Sequence, residues 1–115
     1  MKRLTTQQFE KLVEKQDPDR RVVNVLSEDQ FRKRHIPGSV NVPLETEDFA
    51  AEVERVVGGK DAEVIVYCAS EDCDASPRAA ERLEQAGFGN VSDYEGGLRA
   101  WEQSGHRLEG QAVGT

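Results

Sequence analysis

Short apolar runs alternate with amphipathic segments along nearly the whole chain, and this alternation limits the fold more than any other feature. Val22-Val23-Asn24-Val25-Leu26 and Glu63-Val64-Ile65-Val66-Tyr67 read as buried strands by their β-branched content. Val40 to Val42 and Asn90 to Tyr94 read as shorter ones. Thr5-Thr6-Gln7-Gln8 is a capping box, with Phe9, Leu12 and Val13 at helical spacing behind it and Asp17-Pro18-Asp19 as a stop. Ser27 to Gln30 repeats that signature and opens a short helix through Phe31. Thr46 is predicted to cap a third helix with the face Phe49, Val53 and Val56, ended by Gly58-Gly59. Ser76-Pro77 predicts a fourth start, with Ser as N-cap and Pro at the first helical position. Ala79, Ala80 and Leu83 form its inner face, and Gly87 sits where it should end. Gly96-Gly97 turns into a last helix through Trp101, closed by Gly105. The pattern predicts an α/β sandwich with a mainly parallel sheet covered on both faces.

A length of 115 residues suits one domain and one core. Residues 1–108 are assigned to it, and 109–115 are expected to form a flexible tail. The net charge of −7 lacks the basic footprint that nucleic acid requires and disfavours anionic membrane surfaces. No apolar run reaches membrane-spanning length, and Met1-Lys2-Arg3-Leu4 has no apolar h-region after it. A cytoplasmic location is therefore expected, where both cysteines would stay reduced. Two cysteines cannot staple a fold, so their chemistry is the better reason to examine them.

In open α/β sheets, ligands bind beyond the carboxyl ends of the strands. Cys68 stands at that end of the Glu63–Tyr67 strand, before a polar loop and a helix N-terminus. The thiolate is the reactive form of cysteine. Loop amides curling over Cys68 and the dipole of the following helix would lower its pKa. Glu71, Asp72 and Asp74 would raise it by like-charge repulsion, leaving the net sign open.

Three segments in order resemble the rhodanese (sulfurtransferase) family. His35-Ile36-Pro37-Gly38-Ser39-Val40-Asn41-Val42-Pro43 is similar to its first signature. Val66-Tyr67-Cys68 resembles the strand ending in the family's reactive cysteine, and Tyr94-Glu95-Gly96-Gly97, followed by Trp101, resembles the third signature. The resemblance implies a five-stranded sheet of order 3-2-4-5-1 and a persulfide carried on Cys68. It also implies a sulfur donor and a thiol acceptor as partners, each a small molecule or a protein.

The chain departs from the family in two places. Asn24-Val25-Leu26 stands where the family usually has Asp-Val-Arg, so that ion pair is lost. The loop Cys68-Ala69-Ser70-Glu71-Asp72-Cys73-Asp74-Ala75-Ser76 is longer than the common Cys-x-x-Gly-x-Arg-Ser form and has no arginine. It looks like a two-cysteine variant. A dianion such as thiosulfate at about 8 Å from one carboxylate loses roughly 1 kcal/mol at the dielectric of water, and three such carboxylates cost about 3 kcal/mol before screening. Arg78, one turn into the helix, offsets part of this if it faces the substrate. Poor thiosulfate activity is expected, with a persulfide donor preferred. Phosphatase chemistry needs Cys-x5-Arg, and the residue six after Cys68 is Asp74.

Cys73 has three readings: resolving Cys68 through a disulfide, relaying its sulfur, or packing inward as a small loop residue. Two thiolates with no nearby histidine are half a zinc site, so no metal and no cofactor are expected. Ser70 and Ser76 could donate to a persulfide, although N-capping already accounts for Ser76. His35 is expected to make a structural hydrogen bond, His106 to be solvated, Trp101 to lie in the core, and the acids from Glu47 to Glu54 to form a solvated face. Two rivals to sulfur transfer follow from the same residues. One is a binding module that kept the fold and docks a basic partner on the acidic loop. The other is a Cys68/Cys73 redox switch.

Overall fold

A computed structural model describes residues 1–110. Five strands and five helices follow in the order β1 (Lys2–Leu4), α1 (Thr6–Glu14), β2 (Arg20–Asn24), α2 (Glu28–Lys33), β3 (Val40–Asn41), α3 (Phe49–Val57), β4 (Glu63–Tyr67), α4 (Ala75–Gln85), β5 (Val91–Tyr94) and α5 (Gly97–Gln103). Every strand pair is parallel. The order β1-β5-β4-β2-β3 is the expected 3-2-4-5-1 arrangement viewed from the other edge. Successive strand residues face opposite sides of a sheet. Val64 to Tyr67 of β4 and all four residues of β5 are buried, so both faces of the sheet's centre are covered.

Both sequence capping boxes form. Thr5 and Gln8 close the first, and Ser27 and Gln30 the second, each with side chain and backbone bonding reciprocally. Gly58 and Gly87 adopt the positive φ that ends α3 and α4.

Four local expectations are corrected. The second strand runs Arg20–Asn24 rather than Val22–Leu26. The Asn24 Oδ1 accepts from the Leu26 N–H at 2.9 Å, a local turn that takes Val25 and Leu26 off the strand. At the other end, the Arg20 guanidinium donates to the Leu12 carbonyl, which holds this charged residue in the ladder. Thr46 does not cap α3; its N–H bonds the Pro43 carbonyl in a turn, and the helix starts after Asp48. The inner face of α3 is Phe49, Val53 and Val57, an i, i+4, i+8 stripe, with Val56 only half-buried. β1 forms at a segment without a strand signal, because three residues with only Leu4 buried carry no period.

Aromatic packing fixes the β5 side of the core. Phe9 stacks on Tyr94 at 4.4 Å and meets Trp101 edge-on at 5.2 Å, so Trp101 is a core residue as expected. His106 is only partly solvated: its ring stacks on Trp101 at 3.8 Å and bonds Glu10. His35 has the structural role foreseen for it, with Nδ1 2.8 Å from the Phe31 carbonyl. Its backbone pairs both ways with Glu109, so the segment expected as a tail begins with an anchored residue. Residues 111–115 of that segment lie outside the described ones. Among the described residues, no helix is long and apolar enough to cross a membrane.

Candidate active site

β4 is the strand between β5 and β2, and its main chain delivers Cys68 to the carboxyl end of the sheet, fully buried. Two neighbours fix the strand end from opposite sides. On one side, the Tyr67 hydroxyl accepts from the Ile36 N–H at 3.0 Å and lies 2.8 Å from the Ser39 Oγ. Ser39 in turn donates to the Ile36 carbonyl at 2.6 Å. This closed ring ties the His35–Ser39 turn to the residue before Cys68. On the other side, the first N–H groups of α5 reach back: Leu98 bonds the Cys68 carbonyl at 3.1 Å and Arg99 the Ala69 carbonyl at 2.9 Å. Those amides have no partner within their own helix, so the loop satisfies them.

The loop from Ala69 to Asp74 is shaped by Ser70. Its carbonyl accepts from the Cys73 N–H at 3.0 Å and its hydroxyl from the Asp72 N–H at 3.3 Å. The α4 helix then starts at Ala75, not after Ser76; Asp74 is its N-cap residue and makes no side-chain cap bond. This corrects the role expected for Ser76. It is buried in the first turn of α4, and its Oγ lies 3.4 Å from the Cys68 Sγ. A serine released from capping is thus committed to the thiol.

Two carbonyls also face the Cys68 Sγ, that of Cys73 at 3.4 Å and that of Ser70 at 3.9 Å. The loop therefore faces the sulfur mainly with acceptors, rather than with the cage of amides expected from the sequence. Burial pushes the Cys68 thiol from an ordinary 9.0 up to about 11, and the neighbouring Cys73 thiol adds to the rise. The hydroxyl and N–H of Ser76 act against it. The sign left open by the sequence is thus upward, but the cause is burial, not the loop acids. Glu71, Asp72 and Asp74 are all exposed.

Cys73 is half-buried and packs against the core. Ala69 and Ala75 are half-buried beside it in the chain. Arg78 is exposed and lines a cavity of about 590 Å³ with Asp74, Ala75 and Arg82, facing Leu26 and the Leu44–Thr46 turn. Cys68 does not line that cavity, so the guanidinium and the thiol belong to different surroundings. Among the described residues, no three His, Cys, Asp or Glu side chains gather as a metal site.

Two further residues gain their meaning here from the fold: Gly97, read from the sequence only as a turn in the third signature, and Asp93, which had no sequence signal of its own. Gly97 has φ +60°, and a Cβ there would meet the Cys68 carbonyl. Asp93, on β5, is fully buried, and neither carboxylate oxygen has a hydrogen-bond partner among the described residues. A small cavity of about 30 Å³ lies between it and the loop, lined by Glu71, Cys73, Ser76, Pro77, Asp93 and Glu95.

A family model described as the rhodanese-like domain matches residues 5–104. The chain is 30% identical over 109 residues to the thiosulfate:glutathione sulfurtransferase of Saccharomyces cerevisiae, covering 84% of this chain and 75% of that one. It is 28% identical over 94 residues to an HTH-type transcriptional regulator of Mycobacterium tuberculosis, covering 81% of this chain but only 39% of the regulator. The solution structure of a rhodanese-like domain from Anabaena superposes with a TM-score of 0.82 at 24% identity, covering 99% of this chain and 83% of that one. Matched by that family model over most of its length, this chain is a member of the rhodanese-like domain family.

Proposed function

We propose that the protein is a sulfurtransferase that carries sulfane sulfur as a persulfide on Cys68. The observation that carries this reading is the position of Cys68: it ends β4, with the first turn of α4 and the Ser76 hydroxyl against its sulfur. The reaction is a sulfur exchange without net oxidation. The Cys68 sulfur attacks the outer sulfur of a donor R–S–SH, the donor S–S bond breaks, and R–SH leaves with the proton. The products are Cys68–S–SH and R–SH. A thiol acceptor then removes the outer sulfur by the same exchange.

Cys68 is fully covered, so sulfur transfer requires it to be uncovered, and the 69–74 loop supplies the two carbonyls that face its sulfur. The donor must then pass Glu71, Asp72 and Asp74, which disfavours a dianion and favours a persulfide over thiosulfate. Steady-state transfer from a low-molecular-weight persulfide and from thiosulfate tests both parts. Transfer is expected from the persulfide, poor turnover from thiosulfate, and neither in Cys68→Ser. Efficient turnover at low millimolar thiosulfate would overturn the donor preference, and full activity in Cys68→Ser the carrier.

Cys73 shares the loop with Cys68 and brings its carbonyl to 3.4 Å from the Cys68 Sγ, and this proximity favours a second reading, a reversible Cys68–Cys73 disulfide. Thiol counting before and after mild peroxide separates it: loss of both thiols within one chain supports the switch, and loss of neither excludes it.

A further inference from the structure

We propose that a trough beside the Cys68 loop binds a thiol acceptor through a carboxylate several bonds from its sulfur. The inference rests on the reading of Cys68 as a sulfur carrier, and names the class of acceptor for it. Two adjoining cavities form the trough. One, of about 590 Å³, is lined by Asp74 and Ala75 at the end of the loop and by Arg78 and Arg82 on α4. The other, of about 250 Å³, reaches Ala69, the residue after Cys68, and is lined by Lys33 and Arg34. Leu26 and Gln30 line both, so the cavities meet there.

The charge of the trough runs against that of the chain. The protein carries a net charge of −7, with 22 acids against 15 bases. Lys33, Arg34, Arg78 and Arg82 line the trough, against Glu45 and Asp74 as its lining acids. Arg78 and Arg82 stand one turn apart on the same face of α4, and like charges at that spacing repel. Among the described residues, neither is in an ion pair. Arg82 donates to the Leu44 carbonyl at 3.3 Å, on the facing wall of the cavity. An anion held between the two guanidiniums offsets their repulsion, and a carboxylate matches the planar donor fork of arginine.

The rest of the trough suits an apolar stem. Leu26 lies where the cavities meet, and Leu98 lines the end that reaches Ala69. Helical rise puts Arg78 about 3 Å and Arg82 about 9 Å along α4 from Ser76, whose Oγ lies 3.4 Å from the Cys68 Sγ. Cys68 itself lines neither cavity, so a molecule anchored on the arginines needs several bonds to bring its sulfur to the thiol. This separates the acceptor from thiosulfate. Thiosulfate holds both charges next to its sulfur and brings them to the loop acids, whereas a carboxylate on a stem stays at the arginines.

The step is an exchange. The acceptor thiolate attacks the outer sulfur of Cys68–S–SH and the S–S bond breaks. Cys68 leaves as a thiolate and takes up the proton that the acceptor thiol gave up. The products are the acceptor persulfide and the Cys68 thiol, with no net oxidation. The carboxylate does not react. It holds the acceptor beside the loop equally before and during transfer, so its contribution is read in KM rather than in kcat.

Two acceptors of equal length, 6-mercaptohexanoate and 6-mercaptohexan-1-ol, test this with a low-molecular-weight persulfide as donor. The KM of wild type is expected to be lower for the carboxylate thiol by about fivefold at low ionic strength, and the ratio to shrink with added salt. Arg78→Gln with Arg82→Gln is expected to bring the ratio to about one. Arg78→Gln alone should lower it in the same direction, and carries the test if the double variant does not fold. Arg107→Gln, at an exposed position outside the trough, should keep the preference. Equal KM values in wild type, a preference that survives the Arg78 and Arg82 variants, or one lost equally in Arg107→Gln would overturn the proposal. Titration of 6-mercaptohexanoate into the protein without donor, followed by the arginine Nε–Hε signals in NMR, separates the trough from the carrier. Shifts at Arg78 and Arg82 without any sulfur transfer would keep the trough and sink the sulfur-carrier reading. Transfer to both thiols with no preference and no shifts would keep the carrier and sink the trough.

Discussion

A Cβ at Gly97 would stand 2.2 Å from the carbonyl oxygen of Cys68. No heavy-atom contact survives at that distance, so the close approach of α5 to the reactive strand end depends on glycine. Gly97 also holds φ +60°, which L side chains rarely adopt. Gly97→Ala is expected to destabilise the fold by about 2 kcal/mol or more, through backbone strain and displacement of the loop. Urea denaturation measures the loss. Sulfur transfer per folded molecule should fall as well, because the Leu98 and Arg99 amides that hold the loop carbonyls move with the helix.

The Tyr67–Ser39–Ile36 ring makes a second expectation. Tyr67→Phe keeps the ring system in the core but leaves the buried Ile36 N–H without its acceptor. The expected cost is about 1–3 kcal/mol, read as a lower urea midpoint with an unchanged slope. A loss below measurement would show that the first signature turn is held by other contacts.

The Cys68 thiol should also mark the alkaline limb of stability. Its pKa is raised in the folded state, from 9.0 to about 11, so the unfolded chain ionises first as pH climbs. Stability is thus complete below pH 9.0 and falls as pH rises towards about 11. The thiol accounts for about 1–2 kcal/mol of that fall. Buried Tyr67 and Tyr94, whose pKa values are also raised by burial, add a loss of the same sign. The difference between wild type and Cys68→Ser isolates the thiol, and parallel curves from pH 8 to 11 would contradict the assignment.

Much of this was legible in local sequence. The two capping boxes, the β4 run and the exit of Cys68 from a strand each depend on a few adjacent residues, and each is present. Ser76 shows where local signals fail. Proline is tolerated throughout a helix's first turn, because those amides lack intrahelical partners. Ser-Pro therefore did not say which turn position it occupied, and the helix begins at Ala75, ahead of Ser76. The Glu10 partner of the partly exposed His106 could not be read locally, because it is 96 residues away and brought there by the topology. The burial of Asp93 and the contact of Gly97 with the Cys68 carbonyl are set the same way. An acid in a strand and a glycine before a helix gain meaning only from what the fold places against them.

The loop acids give an electrostatic expectation. Glu71→Gln, Asp72→Asn and Asp74→Asn together should raise kcat/KM for thiosulfate by on the order of tenfold at low ionic strength. The gain should shrink with added salt. Asp74 makes no side-chain cap bond, so its neutralisation leaves the start of α4 intact. An unchanged kcat/KM would mean that the loop carboxylates do not set donor preference.

The most direct measurement is the intact mass of the protein after incubation with a low-molecular-weight persulfide. One added sulfur is expected, mapped to the Cys68 peptide, lost on treatment with excess thiol, and absent from Cys68→Ser with Cys73 in place. A wild type that gains no sulfur, or a Cys68→Ser variant that gains as much, would contradict the account.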